Sequence, residues 1–201
     1  MPENDNTVNI PSDKSRYHHG DLRAALIAEG LKLIDSGPAE ALSLREIARN
    51  AGVSATAVYR HFPDKAALLG ALCAEGQVML ARAFRNAMQA AQPGLEAFNA
   101  MGRAYVHFAL DHPSLFRLMM AQPGSGPVPV PGLGEGTDHN GMQMLVDAID
   151  GVFGAEMPKH VREARRLKAW SLVHGLAMLM LDGQVPADRA LIPAVVDARM
   201  I

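Results

Sequence analysis

Residues 43–65 read SLREIARNAGVSATAVYRHFPDK and predict two short helices joined by a tight turn. Ser43 and Glu46 have the spacing of a capping box, in which each side chain bonds the backbone N–H of the other residue. Gly52 stands where a residue in the left-handed conformation would end the first helix without a Cβ clash. Ser54 then predicts the cap of the second helix. The stretch is therefore expected to form a helical hairpin.

The apolar residues of this stretch recur at helical spacing and predict its buried side. They are Leu44, Ile47, Ala48, Val53, Val58, Tyr59 and Phe62. A generic helical hairpin needs this periodicity, but it does not need a small alanine with a glycine four residues later. That combination is typical of a helix-turn-helix, whose second helix enters the major groove of DNA.

Residues around the second helix are the candidates for contact with DNA. Side chains near the start of a recognition helix face base edges, and flanking residues anchor on phosphates. Thr56 offers a methyl group and a hydroxyl to bases, and Arg60 would reach a guanine or a phosphate. Lys65 begins the next helix, where its charge and the exposed N–H groups favour an anion. The full set is Ser43, Ser54, Ala55, Thr56, Tyr59, Arg60, His61 and Lys65.

Structural roles remain open for several of these residues. Tyr59 would belong to the core alone if its ring is buried, and Arg60 would be a solvated charge. Ser43 and Ser54 would then be simple helix caps. Residues 16–19 contain an arginine and two histidines, which would either touch the minor groove and backbone as an arm or have no role.

Whole-chain composition adds weaker constraints. The 201 residues are 49% apolar and carry a net charge of −2, so any nucleic-acid surface must be local. Cys73 is the only cysteine, which excludes an intrachain disulfide, a zinc finger and a Cys-x-x-Cys redox motif. The polar start argues against a secretory signal. The sequence contains no uninterrupted run of about 18 apolar residues, which argues against a membrane span. A cytoplasmic protein is expected.

Helix breakers divide the chain into three predicted regions. Residues 1–15 predict a disordered leader, residues 16–65 a three-helix DNA-binding head, and residues 66–201 a bundle for ligand binding and dimerisation. The Pro- and Gly-rich residues 122–141 predict a mobile loop in that bundle. The fold class is therefore predicted to be all-α. Besides the hairpin at 43–62, helices are predicted at about 20–36, 64–91, up to 110, 114–121, 142–153, 158–182 and 187–199.

Motifs in the head resemble those of the TetR/AcrR family of bacterial repressors. Residues 17–23 read YHHGDLR, residues 44–48 read LREIA, and residues 52–65 contain GVS and YRHFPDK. Their order and spacing match the family continuously over about 17–75. The resemblance implies a homodimer, a palindromic operator in double-stranded DNA and a small-molecule effector that releases the DNA. It also implies that Tyr59 contacts phosphate.

A second resemblance lies in the C-terminal part of the chain. The pattern HP-x-LF at 112–116, and AW followed by HG at 169–175, are similar to the WHG-type ligand domain of some TetR/AcrR members. Methionine and aromatic side chains adapt to irregular ligands, and pockets between bundle helices are common. Ordinary core packing is the alternative for these side chains. The pocket candidates are Met101, Tyr105, Phe108, Phe116, Met119, Met120, Trp170, His174 and Met178.

The bundle carries no pattern typical of an enzyme. It contains no Gly-x-Ser-x-Gly, no Walker loop, no dinucleotide fingerprint and no Glu-x-x-His pair, so neither catalysis nor a cofactor is expected. His107 and Asp111 lie four residues apart on one predicted helix and would share a metal in principle. Pairs of this kind are usually surface contacts, so no metal site is expected.

The helix predicted at 158–182 changes character along its length. Its first half, KHVREARRLK, is charged, and its second half, AWSLVHGLAMLML, is almost entirely apolar. Such a helix is apolar on too many faces for a lone surface helix, so a second subunit is expected to cover it. Together with the helix predicted at 187–199 it would form a four-helix dimer interface.

The helix-turn-helix predicts a DNA-binding transcriptional regulator. The resemblance implies that it represses by binding a palindromic operator as a dimer and is released by a small molecule. A DNA-bound architectural protein without an effector is one alternative, which a fully packed bundle would favour. A helical-bundle enzyme is the other, and the missing catalytic groupings count against it.

Overall fold

The computed structural model describes residues 22–37, 41–121, 141–154 and 156–200, and the regular structure within them is entirely helical. The all-α prediction is confirmed. The leader at 1–15 and the loop at 122–140 lie outside these residues, and Gly141 belongs to a helix rather than to the predicted loop. The helices are α1 (Leu22–Ser36), α2 (Leu44–Asn50), α3 (Ala55–Tyr59), α4 (Lys65–Gln89), α5 (Leu95–Asp111), α6 (Pro113–Ala121), α7 (Gly141–Phe153), α8 (Lys159–Leu181) and α9 (Ile192–Val195).

Helices α1 to α3 form the N-terminal head, and the turn between α2 and α3 has the predicted geometry. Gly52 has φ +67°, in the left-handed region. Its N–H donates to the Arg49 carbonyl at 3.2 Å, and the Val53 N–H donates to the Ala48 carbonyl at 2.9 Å. These two bonds make a Schellman motif, which satisfies carbonyls at the end of α2. The turn is therefore fixed by backbone hydrogen bonds.

The predicted capping box at the start of α2 is wrong. Ser43 occupies the N-cap position with an extended backbone, but its side chain makes no capping hydrogen bond. Glu46 instead accepts a hydrogen bond from Arg49 at 3.3 Å, one turn later on the same helix. A helical ion pair three residues apart competes for the carboxylate that the capping box would use.

We expect Gly52→Ala to lower the free energy of unfolding by roughly 1–2 kcal/mol, because an L side chain in the left-handed region strains the backbone. A Cβ added at Gly52 would meet no atom within 4 Å, so backbone strain rather than a steric clash would cause the loss. Gly70→Ala is the matched control, since Gly70 lies within α4 and its added Cβ would also meet nothing within 4 Å. That control should raise the stability by roughly 0.5–1 kcal/mol. Urea denaturation measures both, and a neutral or stabilising Gly52→Ala would contradict the argument.

Helix α4 joins the head to the C-terminal body. It packs against α1 on the head side and against α5, α6 and α7 in the body, while α8 packs against α5 and α7. Gly76 lets α6 approach closely, because a Cβ there would lie 2.6 Å from the Met119 sulfur and 3.2 Å from Leu115 Cδ1. Buried residues from α1 to the C-terminal segment form one continuous hydrophobic core.

Helix α4 is also, among the residues described, the one helix long and apolar enough to cross a membrane by length and composition. A single helix of this kind is weak evidence for a span, since core helices pass the same test. Leu68, Leu72, Leu80 and Phe84 bury one side of α4 in the core. Packing within the protein therefore accounts for the apolar residues on that side of α4.

The prediction of one helix over 187–199 is wrong. The segment consists of a 3₁₀ turn at Arg189–Leu191, the four-residue helix α9 and a second 3₁₀ turn at Ala198–Met200. Val196 has ψ +79°, which is not helical and ends α9. The sequence showed helix-forming alanines and arginines here, but a tertiary contact outweighs them.

That contact is made by Asn99, a buried residue of α5. Its side-chain oxygen accepts a hydrogen bond from the Ala198 N–H at 2.7 Å. Val196 is also buried, and its Cγ1 would lie 2.7 Å from a Cβ added to Gly102. Because a buried N–H must find an acceptor, the bond to Asn99 holds the segment against α5 in an irregular conformation. The segment thus packs on its own body.

Candidate nucleic-acid interface and aromatic cluster

The short helix α3 has exposed polar side chains on one side and buried apolar side chains on the other. Val58 and Phe62 are almost completely buried and hold α3 against the rest of the head. Thr56, Arg60 and His61 are exposed. The structure therefore brings these three predicted DNA-binding residues together at an accessible helix and the turn that follows it.

Ser54 and Ala55 stand at the start of α3. The Ser54 hydroxyl accepts a hydrogen bond from the Ala57 N–H at 3.2 Å, so the predicted cap is present. Ser54 is nevertheless exposed, and Ala55 is partly exposed. The capping bond leaves the hydroxyl proton of Ser54 free to donate to a phosphate.

Tyr59 differs from the sequence expectation of a buried ring. Its side chain is 46% exposed, whereas Val58 and Phe62 on either side are buried. A five-residue helix buries only one narrow side, and Tyr59 points away from it. The alternative of a purely core Tyr59 is therefore wrong, because nearly half of the residue is accessible.

The start of α4 carries both signs of charge. Lys65 is its first residue and is partly buried, and Asp64 caps the helix by accepting the Ala67 N–H at 2.7 Å. The carboxylate occupies one N–H and offsets part of the positive end of the helix dipole. The sequence argument for an anion at this position did not include Asp64.

The head exposes further arginines that the sequence argument did not select. Arg45 and Arg49 are exposed on α2, and Arg49 pairs with Glu46. Arg23 on α1 lies over the Phe62 ring, 5.4 Å from its centroid. The sequence shows a mild excess of Lys and Arg over acidic residues in this region. It does not show which of these basic side chains are exposed, because that depends on the fold.

Four body helices bring ring side chains together in the aromatic cluster, defined as Phe84, Tyr105, Phe116, Trp170 and His174. The Tyr105 hydroxyl lies 2.9 Å from His174 Nδ1. Tyr105 also stacks on Phe84 at 6.4 Å and meets Phe116 edge-on at 5.5 Å. The His174 ring lies 5.9 Å from Phe116 and 5.7 Å from Trp170. The cluster therefore contains one polar pair inside an apolar surround.

Burial sets the protonation of this polar pair. It raises the pKa of the Tyr105 hydroxyl to about 12, and hydrogen bonding by Trp170 opposes this only in part. Burial also lowers the pKa of His174 below its ordinary value. Desolvation disfavours the charged form of each group. Both side chains are therefore neutral near pH 7.

The other pocket candidates divide between the cluster and the surrounding core. Met119 packs on Gly76, and Phe108 lies 5.1 Å from the His112 ring. Met101 is buried, while Met120 and Met178 are partly buried. Phe84 is a cluster member that sequence reasoning missed, because nothing local to α4 connects it to α5.

His107 and Asp111, the sequence's candidate metal pair, are joined by Arg189. Its guanidinium lies 3.2 Å from His107 Nδ1 and forms an ion pair with Asp111. Burial and the positive charge of Arg189 lower the pKa of His107. Across the described parts of the chain, no group of three or more His, Cys, Asp or Glu side chains could hold a metal ion.

Comparison with known proteins covers both the head and the body. Residues 26–72 match the family model described as bacterial regulatory proteins of the tetR family. Residues 98–198 match the model described as the tetracyclin repressor-like C-terminal domain. Together these matches include α2, α3 and the helices that carry most of the aromatic cluster.

Solved structures resemble the whole chain. A protein of unknown function from Rhodococcus sp. RHA1 is 32% identical with a TM-score of 0.72, and the match covers 91% of this chain and 93% of that chain. A TetR-family transcriptional regulator from Streptomyces coelicolor is 25% identical with a TM-score of 0.62, over 89% of this chain and 78% of that chain. A TetR transcriptional regulator from Rhodococcus sp. RHA1, at 20% identity and a TM-score of 0.52, covers 92% and 98% and shares the fold.

Proposed function

The chain belongs to the TetR family of DNA-binding transcriptional regulators, and from this premise we propose that it is a ligand-responsive repressor. It is a regulator and not an enzyme. In the proposal a homodimer in the cytoplasm binds a palindromic operator, and a small molecule bound in the body releases it. The observation that carries the proposal is the neutral Tyr105–His174 pair within the aromatic cluster, which also includes side chains of α4 and α6, two helices that contact α1 of the head.

The DNA contacts follow from exposure and chemistry. Ala55 and Thr56, in the first turn of α3, would face base edges, and Arg60 would reach a guanine or a phosphate. Tyr59, His61, Ser43, Ser54 and Lys65 would bind the phosphate backbone. The exposed Tyr59 supports this division, because its ring is not needed in the core.

Helix α8 supports a homodimer. Leu167 and Leu179 are 45% and 41% exposed on the described monomer, on a helix that is otherwise half buried. Pairing of α8 with its copy would bury these leucines. The segment after α8 would contribute Leu191 and Val195, which are exposed, rather than a full-length helix. A twofold dimer would place two α3 helices about 34–36 Å apart, one DNA turn.

The route from ligand to DNA would pass through α6. Phe116 and Met119 lie on α6, which contacts both α1 and α4. Where α6 begins, His112 Nδ1 lies 3.7 Å from the Asp35 carboxylate at the end of α1. A ligand that shifts Phe116 would move α6 and therefore the head. Release requires that the ligand prefer the head spacing that does not fit the operator.

The experiment begins with selection of bound duplexes from a random pool by the full chain. We expect a palindromic consensus, a dimer by sedimentation, and weaker operator binding in the presence of a bound ligand. A monomer with no preference among duplexes at low ionic strength would overturn the proposal. A ligand that binds the protein but leaves operator affinity unchanged would rule out the switch and favour an architectural role.

We expect Thr56→Ala to change which operator is preferred, costing roughly 1–3 kcal/mol of discrimination at one base pair. Lys65→Gln should instead weaken binding to all sequences and reduce the salt slope by about 1, because it removes a phosphate contact. Selection from a random pool and fluorescence anisotropy at several salt concentrations measure these effects. An unchanged consensus for Thr56→Ala would contradict its assignment to bases.

A further inference from the structure

The accessible part of the aromatic cluster lies on α8. Trp170 and His174 are one turn apart and both partly exposed, and their rings are inclined by 39°. Beneath them Tyr105 and Phe116 are buried. A flat molecule that reaches the cluster would therefore meet the Trp170 and His174 rings first, since the other three rings are buried. Met178, a further turn along α8 and partly buried, offers a flexible thioether beside them.

The hydrogen bond between Tyr105 and His174 has one favoured direction. The phenol keeps its proton near pH 7, and a buried O–H must donate to an acceptor. The Trp170 indole carries only a donor, so it cannot accept that proton. His174 Nδ1, at 2.9 Å, is the acceptor. The neutral imidazole then carries its own proton on Nε2.

His174 Nε2 consequently presents a donor to whatever enters the site. Within the described residues the side chain has one hydrogen-bond partner, Tyr105, and that bond uses Nδ1. A ligand that offers an acceptor to the Nε2–H would complete the pair of bonds that a histidine makes. A hydrocarbon would leave the N–H without a partner, which costs binding free energy.

The rings that contact this pair are uncharged: Phe84 and Phe116 lie against Tyr105, and Phe116 and Trp170 lie against His174. Burial among them raises the pKa of Tyr105 and lowers that of His174. An ionised ligand would be moved from water to these rings, which supply no countercharge. That transfer is unfavourable unless the charge is paired.

We propose that the aromatic cluster binds an uncharged aromatic molecule that carries a hydrogen-bond acceptor, such as an aryl ketone or ester, and that His174 Nε2–H donates to that acceptor. The inference rests on the proposed function, since it names the class of effector for the same site. The ring of the ligand would stack on Trp170, and its oxygen would lie in the plane of the His174 imidazole, at Nε2.

The test compares three probes of similar shape by equilibrium dialysis with the full chain. They are 2-acetylnaphthalene, 2-ethylnaphthalene, which lacks the acceptor, and 2-naphthoate, which is charged. We expect the ketone to bind about tenfold more tightly than 2-ethylnaphthalene, the effect of one hydrogen bond between neutral groups. It should also bind more tightly than the naphthoate, whose charge would be buried without a partner. Long-range ¹H–¹⁵N spectra of the unmodified protein should show His174 protonated at Nε2.

Two variants separate the hydrogen bond from general packing. His174→Phe should abolish the preference for the ketone over 2-ethylnaphthalene and leave hydrocarbon binding within about threefold, because the ring remains but the donor is gone. His160→Phe makes the same substitution at an exposed position of α8 and should leave the preference unchanged. Thermal unfolding of each variant checks its folding.

Several results would overturn the inference without any variant. These are equal binding of ketone and hydrocarbon, tighter binding of the naphthoate, no binding of any probe, or a His174 protonated at Nδ1. Operator affinity measured in parallel distinguishes the two proposals. If the ketone binds as expected but does not release the operator, the ligand class stands and the switch fails.

Discussion

Replacing Phe62 with alanine is expected to abolish operator binding by destabilising the head. Phe62 is 1% exposed, it lies three residues after the end of α3, and the Arg23 guanidinium lies over its ring. Removing a buried phenylalanine costs roughly 3–5 kcal/mol, because transfer free energy is lost and a cavity remains. That is a large fraction of the roughly 5–15 kcal/mol by which domains are stable. Urea denaturation followed by circular dichroism measures the loss.

Tyr59→Ala is the matched comparison, since it removes an aromatic ring three residues earlier. Tyr59 is 46% exposed, so the free energy of unfolding should change by no more than about 1 kcal/mol. Operator affinity should still fall about tenfold or more, because the proposed hydrogen bond from Tyr59 to a charged phosphate would be lost. If both variants lost the same stability, the result would contradict the burial of Phe62 and the exposure of Tyr59.

Phe116→Ala is expected to have the largest effect in the body, lowering the free energy of unfolding by roughly 3–5 kcal/mol. Phe116 is completely buried and contacts both Tyr105 and His174. Its loss would leave a cavity beside the polar pair and remove the side chain through which a ligand is proposed to move α6. The variant should therefore keep operator binding at low temperature but lose its release by ligand.

Val78→Ala on α4 serves as the control for this loss. Val78 is 47% exposed, so its replacement should change stability by no more than about 0.5 kcal/mol. The two variants are compared by urea denaturation and by operator affinity with and without 2-acetylnaphthalene. A Phe116→Ala protein that is as stable as Val78→Ala would show that this ring is not part of the core as described.

Local sequence was sufficient wherever a feature depends on neighbours within a few residues. The left-handed Gly52 and the Ser54 cap follow from backbone sterics and a bond three residues long, and both are present. The same reasoning failed for Ser43, because Glu46 had a competing partner, Arg49, at equally short range. Sequence patterns show which bonds are possible, and the structure shows which of two local partners is chosen.

The direction of a side chain was harder to predict in a short helix, such as α3, and in a helix that packs against several others, such as α5. Tyr59 has apolar neighbours at helical spacing, yet α3 is too short to bury it. Tyr105 and Phe108 lie three residues apart on α5, and only the packing of α6 and α8 sends Tyr105 to His174. Phe108 instead lies against the tilted His112 ring, at the junction of α5 and α6. Periodicity identifies an apolar side but not the partner that covers it.

The amino-acid order alone determined the helical fold, the helix-turn-helix and the family, because these depend on spacings within single helices and turns. Tertiary structure decided which rings form the aromatic cluster, that Arg189 joins His107 to Asp111, and that Asn99 holds the C-terminal segment in an irregular conformation. The hydrogen bonds among these contacts, Tyr105 to His174, Arg189 to His107 and Asp111, and Ala198 to Asn99, join residues 69 to 99 positions apart. No local preference encodes such a contact, since it exists only once distant helices have packed together and left a buried polar group to be satisfied.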